Sequence, residues 1–298
     1  MKNLHLQHPE DSILTGDLNV LDWFETGAHV SVKYDGCPAI VWGTDPATGT
    51  FFVGTKAVFN KKKIRIAHSH EEIDVHYQGE VNQILHACFN HLPQTEFIFQ
   101  GDFIGFGGET EYQPQAIKYV FPDVVSESII IAPHTQYVAD NDLRDAIASP
   151  MIGSPKSTKE VLFLKPNAWE DDEDVTFMIK FARLMSTTCE FVDAKKAREI
   201  EKVINNFIKT GIDLDSEALA SAADCDRNLI RFWQLIKALK EDRLALCATS
   251  GGPDAYLGDE LIDAEGFVLS NCYGSYKLVN REVFSRYHFN HGKFACAS

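Results

Sequence analysis

The sequence lacks an uninterrupted run of about eighteen apolar residues, so it predicts no transmembrane helix. It also lacks an N-terminal apolar stretch flanked by positive charge, and we therefore expect no secretory signal. None of its seven cysteines forms a Cys-x-x-Cys pair, which argues against a structural zinc site. We accordingly expect reduced thiols, a cytoplasmic location and no association with membranes.

Basic residues are in the minority, with 28 Lys and Arg against 43 Asp and Glu, which gives a formal net charge of −15. Such an acidic surface argues against a protein that coats nucleic acid non-specifically, although it leaves room for a local basic groove. The 298 residues, 45% hydrophobic and 24% charged, are enough for one large domain or two ordinary ones with a substantial core.

Hydrophobic periodicity predicts an α+β fold. The residues Asp35-Gly36 between two apolar runs indicate a hairpin turn. Strands are predicted at 29–42, 50–59 (as a pair), 96–106, 116–121, 128–138, 265–271 and 274–284. Helical spacing is found at 73–91 and throughout 175–246. We therefore expect a β-rich domain formed by 1–140 and 250–298, interrupted by a mostly helical insertion at about 141–249.

Four short motifs carry residue types suited to group transfer. Lys33-Tyr34-Asp35-Gly36 places a lysine in an apolar strand, where burial and nearby cations lower a lysine pKa and so favour the nucleophilic neutral amine. Gln100-Gly101-Asp102 and Glu265-Gly266-Phe267-Val268 each place a carboxylate at a strand end, where it can meet a ribose hydroxyl or a divalent cation. Lys277 lies among apolar residues, where it can reach a phosphate. Each motif alone is also compatible with an ordinary turn or a surface lysine.

In this order the motifs resemble motifs I, III, IV and V of the covalent nucleotidyltransferase superfamily, which includes ATP-dependent RNA and DNA ligases and mRNA capping enzymes. The stretch 276–284 is most similar to motif V of phage-type RNA ligases, and 33–62 resembles ligase-like proteins of tailed phages. The resemblance implies an antiparallel-sheet nucleotidyltransferase (ATP-grasp-like ligase) domain with the nucleotide between its sheets. Because only residues 278–298 follow Lys277, we expect no OB-fold domain, which favours a minimal RNA-ligase-like enzyme.

The resemblance also implies a chemistry. Lys33 would attack the α-phosphorus of ATP, expel pyrophosphate and form lysyl-AMP. The AMP would pass to the 5′-phosphate of a nucleic acid, RNA rather than DNA, and a 3′-hydroxyl would displace it. Lys277 would contact the α-phosphate and depress the Lys33 pKa. Asp102, where the family usually has Glu, would contact the ribose or the metal shell, and Glu265 would hold Mg²⁺ or Mn²⁺.

Further residues receive supporting roles from the same resemblance. Asp35 and Gly36 would shape the turn that presents Lys33, and Lys56 would touch phosphate. Tyr119 would stack on the base, although a core-facing aromatic explains it equally well. The densest basic patch is either part of a strand-binding groove or a solvated loop, and it comprises Lys61, Lys62, Lys63 and Arg65.

One departure from the family leaves alternatives open. Motif V commonly has two lysines in a Lys-x-Lys pattern, whereas this chain has Lys277 alone. The alternatives are a nucleotidyltransferase that adenylates a protein or small molecule, and a catalytically degenerate nucleotide-binding interaction protein. The helical insertion would bind the acceptor or a protein partner. If the protein is phage-encoded, its location would be the host cytoplasm, and the motifs do not distinguish ATP from GTP.

Overall fold

The computed structural model describes residues 6–149, 151 and 155–284. Within them the chain forms a mixed α+β fold whose strands pair antiparallel, except for one parallel pair. The helices are α1 (Pro9–Ser12), α2 (Asn19–Phe24), α3 (His70–His76), α4 (Gly79–His91), α5 (Thr176–Ser186), α6 (Ala194–Thr210), α7 (Ser216–Ala223) and α8 (Arg227–Ala245). No helix in this part of the chain is long and apolar enough to cross a membrane.

The strands are β1 (His29–Lys33), β2 (Ala39–Thr44), β3 (Phe51–Thr55), β4 (Ile98–Phe106), β5 (Glu111–Tyr112), β6 (Ile117–Val120), β7 (Ile129–Val138), β8 (Ile147–Ser149), β9 (Val161–Phe163), β10 (Asn167–Glu170), β11 (Cys247–Ser250), β12 (Asp254–Leu257), β13 (Glu260–Ile262), β14 (Gly266–Asn271) and β15 (Gly274–Val279). They form a six-stranded sheet, β3-β2-β4-β7-β8 with β9 beside β7, and a four-stranded sheet, β13-β12-β6-β5. A three-stranded sheet, β1-β14-β15, and the pair β10-β11 complete the set.

The six-stranded sheet is covered by helices on one face. Phe99 and Phe103 of β4 pack with Ile84 and Leu85 of α4 in one apolar cluster. Ile104, the next residue along β4, belongs to a different cluster on the other side of the sheet. Because side chains alternate along a strand, Asp102 lies on this second face, away from the helices.

The three-stranded sheet separates apolar and polar residues between its two faces. Val30, Phe267 and Leu278 pack in the largest apolar cluster, together with α5–α8. The register pairs Lys33 with Gly266, and Val268 with Lys277. Strand alternation therefore puts Lys33 and Lys277 together on the face opposite the helices.

The helical segment packs against the back of the sheet that carries Lys33. Trp233 and Ile236 of α8 share a cluster with Ile13 and Leu14, which follow α1. Aspartate side chains accept hydrogen bonds from the first backbone N–H groups of α6, α7 and α8, which satisfies donors that a helix leaves unpaired. The predicted helical stretch 175–246 is confirmed by α5–α8.

Several local predictions differ from the observed secondary structure and strand pairing. The predicted hairpin at Asp35-Gly36 is wrong, because β1 pairs with β14 while β2 pairs with β3 and β4, so these residues connect two sheets. The second half of the predicted strand pair 50–59 is a 3-10 turn, Lys56–Phe59. Residues 73–91 are divided between α3 and α4. The predicted mostly helical range 141–249 begins with strands β8–β10.

The cysteine prediction holds only in part. Cys88, Cys189, Cys225, Cys247 and Cys272 are free thiols, whereas Cys37 is disulfide-bonded. Cys296 and the ends of the predicted β-rich domain, 1–5 and 285–298, lie outside the described residues.

Candidate functional site

Lys33 ends strand β1 and is paired with a buried acid. Its Nζ forms an ion pair with Oε2 of Glu265, and the two side chains are 26% and 9% exposed. The pair follows from the register, because Lys33 lies opposite Gly266, the neighbour of Glu265. A Cβ at position 266 would stand 2.1 Å from the backbone oxygen of Leu278, so a glycine is required where β14 starts.

The charge state of Lys33 depends on competing effects. Burial lowers its pKa, but the carboxylates of Glu265, Asp102 and Asp35 raise it, and the net pKa lies above the ordinary value. Burial raises the pKa of Glu265 to about 7, although Lys33 opposes that shift. The prediction that the surroundings of Lys33 depress its pKa is therefore wrong for the protein alone, because the nearby carboxylates favour the protonated amine.

Two further lysines act electrostatically on the same place. Burial, followed by the positive charges of Lys33 and Arg281, lowers the pKa of Lys277. Desolvation and Lys33 also lower the pKa of Lys56, the first residue of the 3-10 turn, while Asp102 opposes that change. Lys33, Lys56, Asp102 and Lys277, which are far apart in sequence, thus form one electrostatic group.

Asp102 has a histidine neighbour that sequence reasoning missed. The Nε2 atom of His134 lies 3.6 Å from Oδ1 of Asp102, and the same Nε2 is 3.3 Å from Nε2 of Gln100. Strand β7 supplies His134, and β4 supplies the other two residues. No local signal in the sequence indicates this contact, because pairing of strands about thirty residues apart creates it.

Asp35 acts on the backbone beside Lys33. Its Oδ2 accepts hydrogen bonds from the N–H groups of Ala116 at 2.9 Å and Ile117 at 3.4 Å, at the start of β6. Its own N–H donates to the hydroxyl of Tyr119 at 2.6 Å. A Cβ on Gly36 would lie 2.7 Å from Cβ of Asp102, so the turn packs directly against the second carboxylate. Asp35 and Gly36 thus tie the segment after Lys33 to β6 and β4.

A cavity of about 220 Å³ opens beside Lys33. Its walls include Tyr34, Tyr119, Pro166 and the loop that joins β11 to β12. Tyr119 is only 2% exposed, and its ring centroid lies 5.3 Å from that of Tyr34, so it is a core aromatic that also borders the cavity. Pockets for drug-sized ligands measure roughly 300–1,000 Å³, so this cavity has room for only part of a ligand of that size.

The wall formed by the β11–β12 loop was not expected from the sequence. Thr249 and Ser250 at the end of β11 line the cavity together with Gly251 and Gly252 of the loop, although the composition of this stretch also fits a simple turn. The adjacent glycines are a signal that backbone comes close to a neighbour. At Gly252 a Cβ would stand 3.0 Å from the hydroxyl of Tyr34.

The predicted metal ligands, Asp102 and Glu265, do not form a complete metal-binding group by themselves within the described residues. Among residues 6–149, 151 and 155–284 no three or more His, Cys, Asp or Glu side chains are grouped so as to hold a metal ion. Asp102 and Glu265 instead stand as two separate carboxylates near Lys33.

The residues of the predicted basic patch lie in an exposed loop that continues from the Lys56 turn, and they are Lys61, Lys62, Lys63 and Arg65.

The chain was compared with protein families, curated proteins and solved structures. A family model described as "Family of unknown function (DUF6267)" matches residues 3–225 and 215–293. No curated protein and no solved structure matches the chain.

Proposed function

The chain belongs to this family of unknown function, DUF6267, and we propose that it is an ATP-dependent, RNA-ligase-like nucleotidyltransferase. It forms a covalent lysyl-AMP at Lys33 and transfers the AMP to a 5′-phosphorylated nucleic acid, RNA rather than DNA, for strand joining. The observation that carries the proposal is the gathering of Lys33, Asp102, Glu265 and Lys277 around the end of β1. These are the motif residues on which the resemblance to the nucleotidyltransferase superfamily rests.

The chemistry follows from the residue types. Nζ of Lys33 bonds to the α-phosphorus, and the bond from that phosphorus to the bridging oxygen breaks, so that pyrophosphate leaves. A neutral amine is the nucleophile, so the proton that Lys33 shares with Glu265 must leave before the attack. Lys277 and Lys56 supply positive charge where negative charge develops on the phosphates.

The two carboxylates near Lys33 fit a divalent cation that is held together with a nucleotide. Mg²⁺ is usually bound through one or two carboxylates plus substrate phosphates rather than by an all-protein cage. Asp102 and Glu265 would be its ligands. The cation would supply charge neutralisation for the polyphosphate.

The decisive experiment is incubation with α-labelled ATP, with Mg²⁺ and with Mn²⁺, followed by denaturing electrophoresis. We expect label that survives denaturation and is lost in Lys33→Ala. Lys118→Ala is the matched control, since Lys118 also lies in a strand next to an acid and its side chain is 37% exposed against 26% for Lys33. A wild-type protein that takes up no label from ATP or GTP with either metal would refute the covalent chemistry.

A second candidate is a catalytically degenerate protein that binds nucleotide without chemistry. The sequence of β15 favours it. A Lys-x-Lys pattern would need a second lysine two residues before or after Lys277, but these positions are Ser275 and Val279. Nucleotide binding by calorimetry without covalent label would support this candidate.

The acceptor needs a separate test. Labelled protein is offered 5′-phosphorylated RNA and DNA as single strands, nicked duplexes and hairpins. Transfer to RNA supports strand joining. Labelled protein that transfers to none of them supports the adenylation of a protein or small molecule.

A further inference from the structure

Helix α5 carries an uncovered apolar face. Ile179 and Ala182 are fully buried on its inner side, whereas Phe177, Phe181 and Leu184 are 78%, 46% and 67% exposed. Spacings of four and three residues put the exposed side chains along one stripe of the helix. Single exposed apolar residues are ordinary, but a contiguous stripe with two phenylalanines marks an interaction surface.

The stripe begins next to a concentration of negative charge. Residues 171–174 are Asp, Asp, Glu and Asp, and all four are exposed. On the helix itself, Arg183 is already bound by Asp22 at 2.6 Å and Glu25 at 3.1 Å, so it does not neutralise the run. Lys180 of α5 supplies one positive charge against the four negative charges of residues 171–174, so this end of the surface is negative.

An open groove of about 470 Å³ adjoins the acidic run and shares Asp172 with it. Ala28, Ala168 and Trp169 contribute to its walls, and Trp169 is 44% exposed. Glu170, one of the two acids that line the groove, is held by Arg243 at 2.8 Å, so it belongs to the fold. The groove therefore offers an aromatic wall beside free negative charge.

The charges select the occupant. Nucleic acids and anionic membranes would be repelled by the four carboxylates, and a second copy of this chain would bring its own acidic run to the interface. We propose that the α5 surface (Phe177, Phe181, Leu184, Trp169 and residues 171–174) binds an amphipathic segment of a partner protein that has apolar residues on one face and Lys or Arg beside them. Helix-in-groove recognition of this kind uses anchors at helical spacing. The inference does not depend on the proposed nucleotidyltransferase activity.

The test uses the full chain and a synthetic amphipathic helix of leucine and lysine as the probe, with affinity measured by fluorescence anisotropy. We expect the peptide to bind, and an otherwise identical leucine and glutamate peptide not to bind. The double variant Phe177→Ser/Phe181→Ser should lose affinity by about tenfold or more, as for buried aromatic anchors. A Val75→Ser variant is the apolar control, because Val75 is equally exposed, at 78%, on another helix.

Attraction by overall charge needs its own control. Neutralising residues 171–173 as Asp171→Asn, Asp172→Asn and Glu173→Gln should weaken binding. The same loss of charge elsewhere should not, and the control changes are Glu96→Gln, Asp123→Asn and Asp259→Asn at exposed positions. Unchanged melting temperatures would show that all these variants fold.

Several outcomes would overturn the proposal. The first is equal binding by the α5 variants and their controls, and the second is no binding to the wild type. The third is RNA or vesicle binding that depends on Phe177 and Phe181. The fourth is a dimer in solution that Phe177→Ser/Phe181→Ser dissociates, because that would show a second copy as the occupant.

Discussion

Replacing Gly36 by alanine should loosen the connection between Lys33 and Asp102. The added Cβ would stand 2.7 Å from Cβ of Asp102, 2.8 Å from Cδ1 of Ile104 and 2.8 Å from the backbone oxygen of Phe103. Only the isoleucine methyl can rotate away, so the turn or strand β4 has to move. Overpacking of this kind costs about 1–3 kcal/mol. The turn is also tied to β4 by the bond from the Cys37 N–H to the Phe103 oxygen at 2.9 Å, which such a shift would strain.

The measurement is urea unfolding followed by tryptophan fluorescence, with Gly27→Ala as the matched control. A Cβ at Gly27 meets no atom within 4 Å, so that variant should stay within about 0.5 kcal/mol of the wild type. Each kcal/mol lost should lower the melting temperature by about 2–4 °C in a chain of this size. If Gly36→Ala is as stable as Gly27→Ala, the close approach of the turn to β4 is refuted. Under the proposed function, Gly36→Ala should also reduce covalent labelling, because it displaces Asp102.

Three further predictions concern buried charge, pH and thiol reactivity. Lys240 and Glu10 are fully buried and paired at 2.9 Å, so Glu10→Gln should lower the free energy of unfolding in urea by about 3–5 kcal/mol. The double variant Glu10→Gln/Lys240→Met should lose less stability than the two single variants together, and additive losses would contradict the pairing. Burial holds the pKa of His8 well below 6.5, so the unfolded chain binds more protons below that pH and stability should fall on acidification. His8→Gln should show a flatter profile between about pH 7 and pH 5, and parallel profiles would contradict a neutral His8. Iodoacetamide should modify exposed Cys272 in the native protein but spare Cys88, which is buried and whose thiol pKa is raised by that burial. The two rates are measured by mass spectrometry, and equal rates of modification would contradict this prediction.

The elements that sequence reasoning located are those with a local signal. Helix α8 has an apolar stripe along its length, and β14 and β15 are short apolar runs separated by turn residues. The connection at Asp35-Gly36 was interpreted wrongly because turn residues show that the chain bends, but not which strand it joins next. The partner of β1 is β14, more than two hundred residues further along the chain.

The candidate site divides in the same way. The chemical types of Lys33, Asp102, Glu265 and Lys277, and their order, can be read from the sequence. The contact of His134 with Asp102 cannot, and neither can the use of Asp35 to hold the start of β6. Both depend on strand pairing, because pairing brings together groups that no local pattern relates.

The linear chain therefore specifies which groups are available, since residue type and hydrophobic period are properties of neighbouring positions. Their physical state is a different matter, because pKa and exposure depend on distances through space. Burial near Lys33 acts against a charged amine, yet folding brings Glu265 beside it and the net effect is a raised pKa. Likewise, the periodicity of α5 predicts a helix, but packing against the core buries Ile179 and leaves Phe177 exposed to solvent.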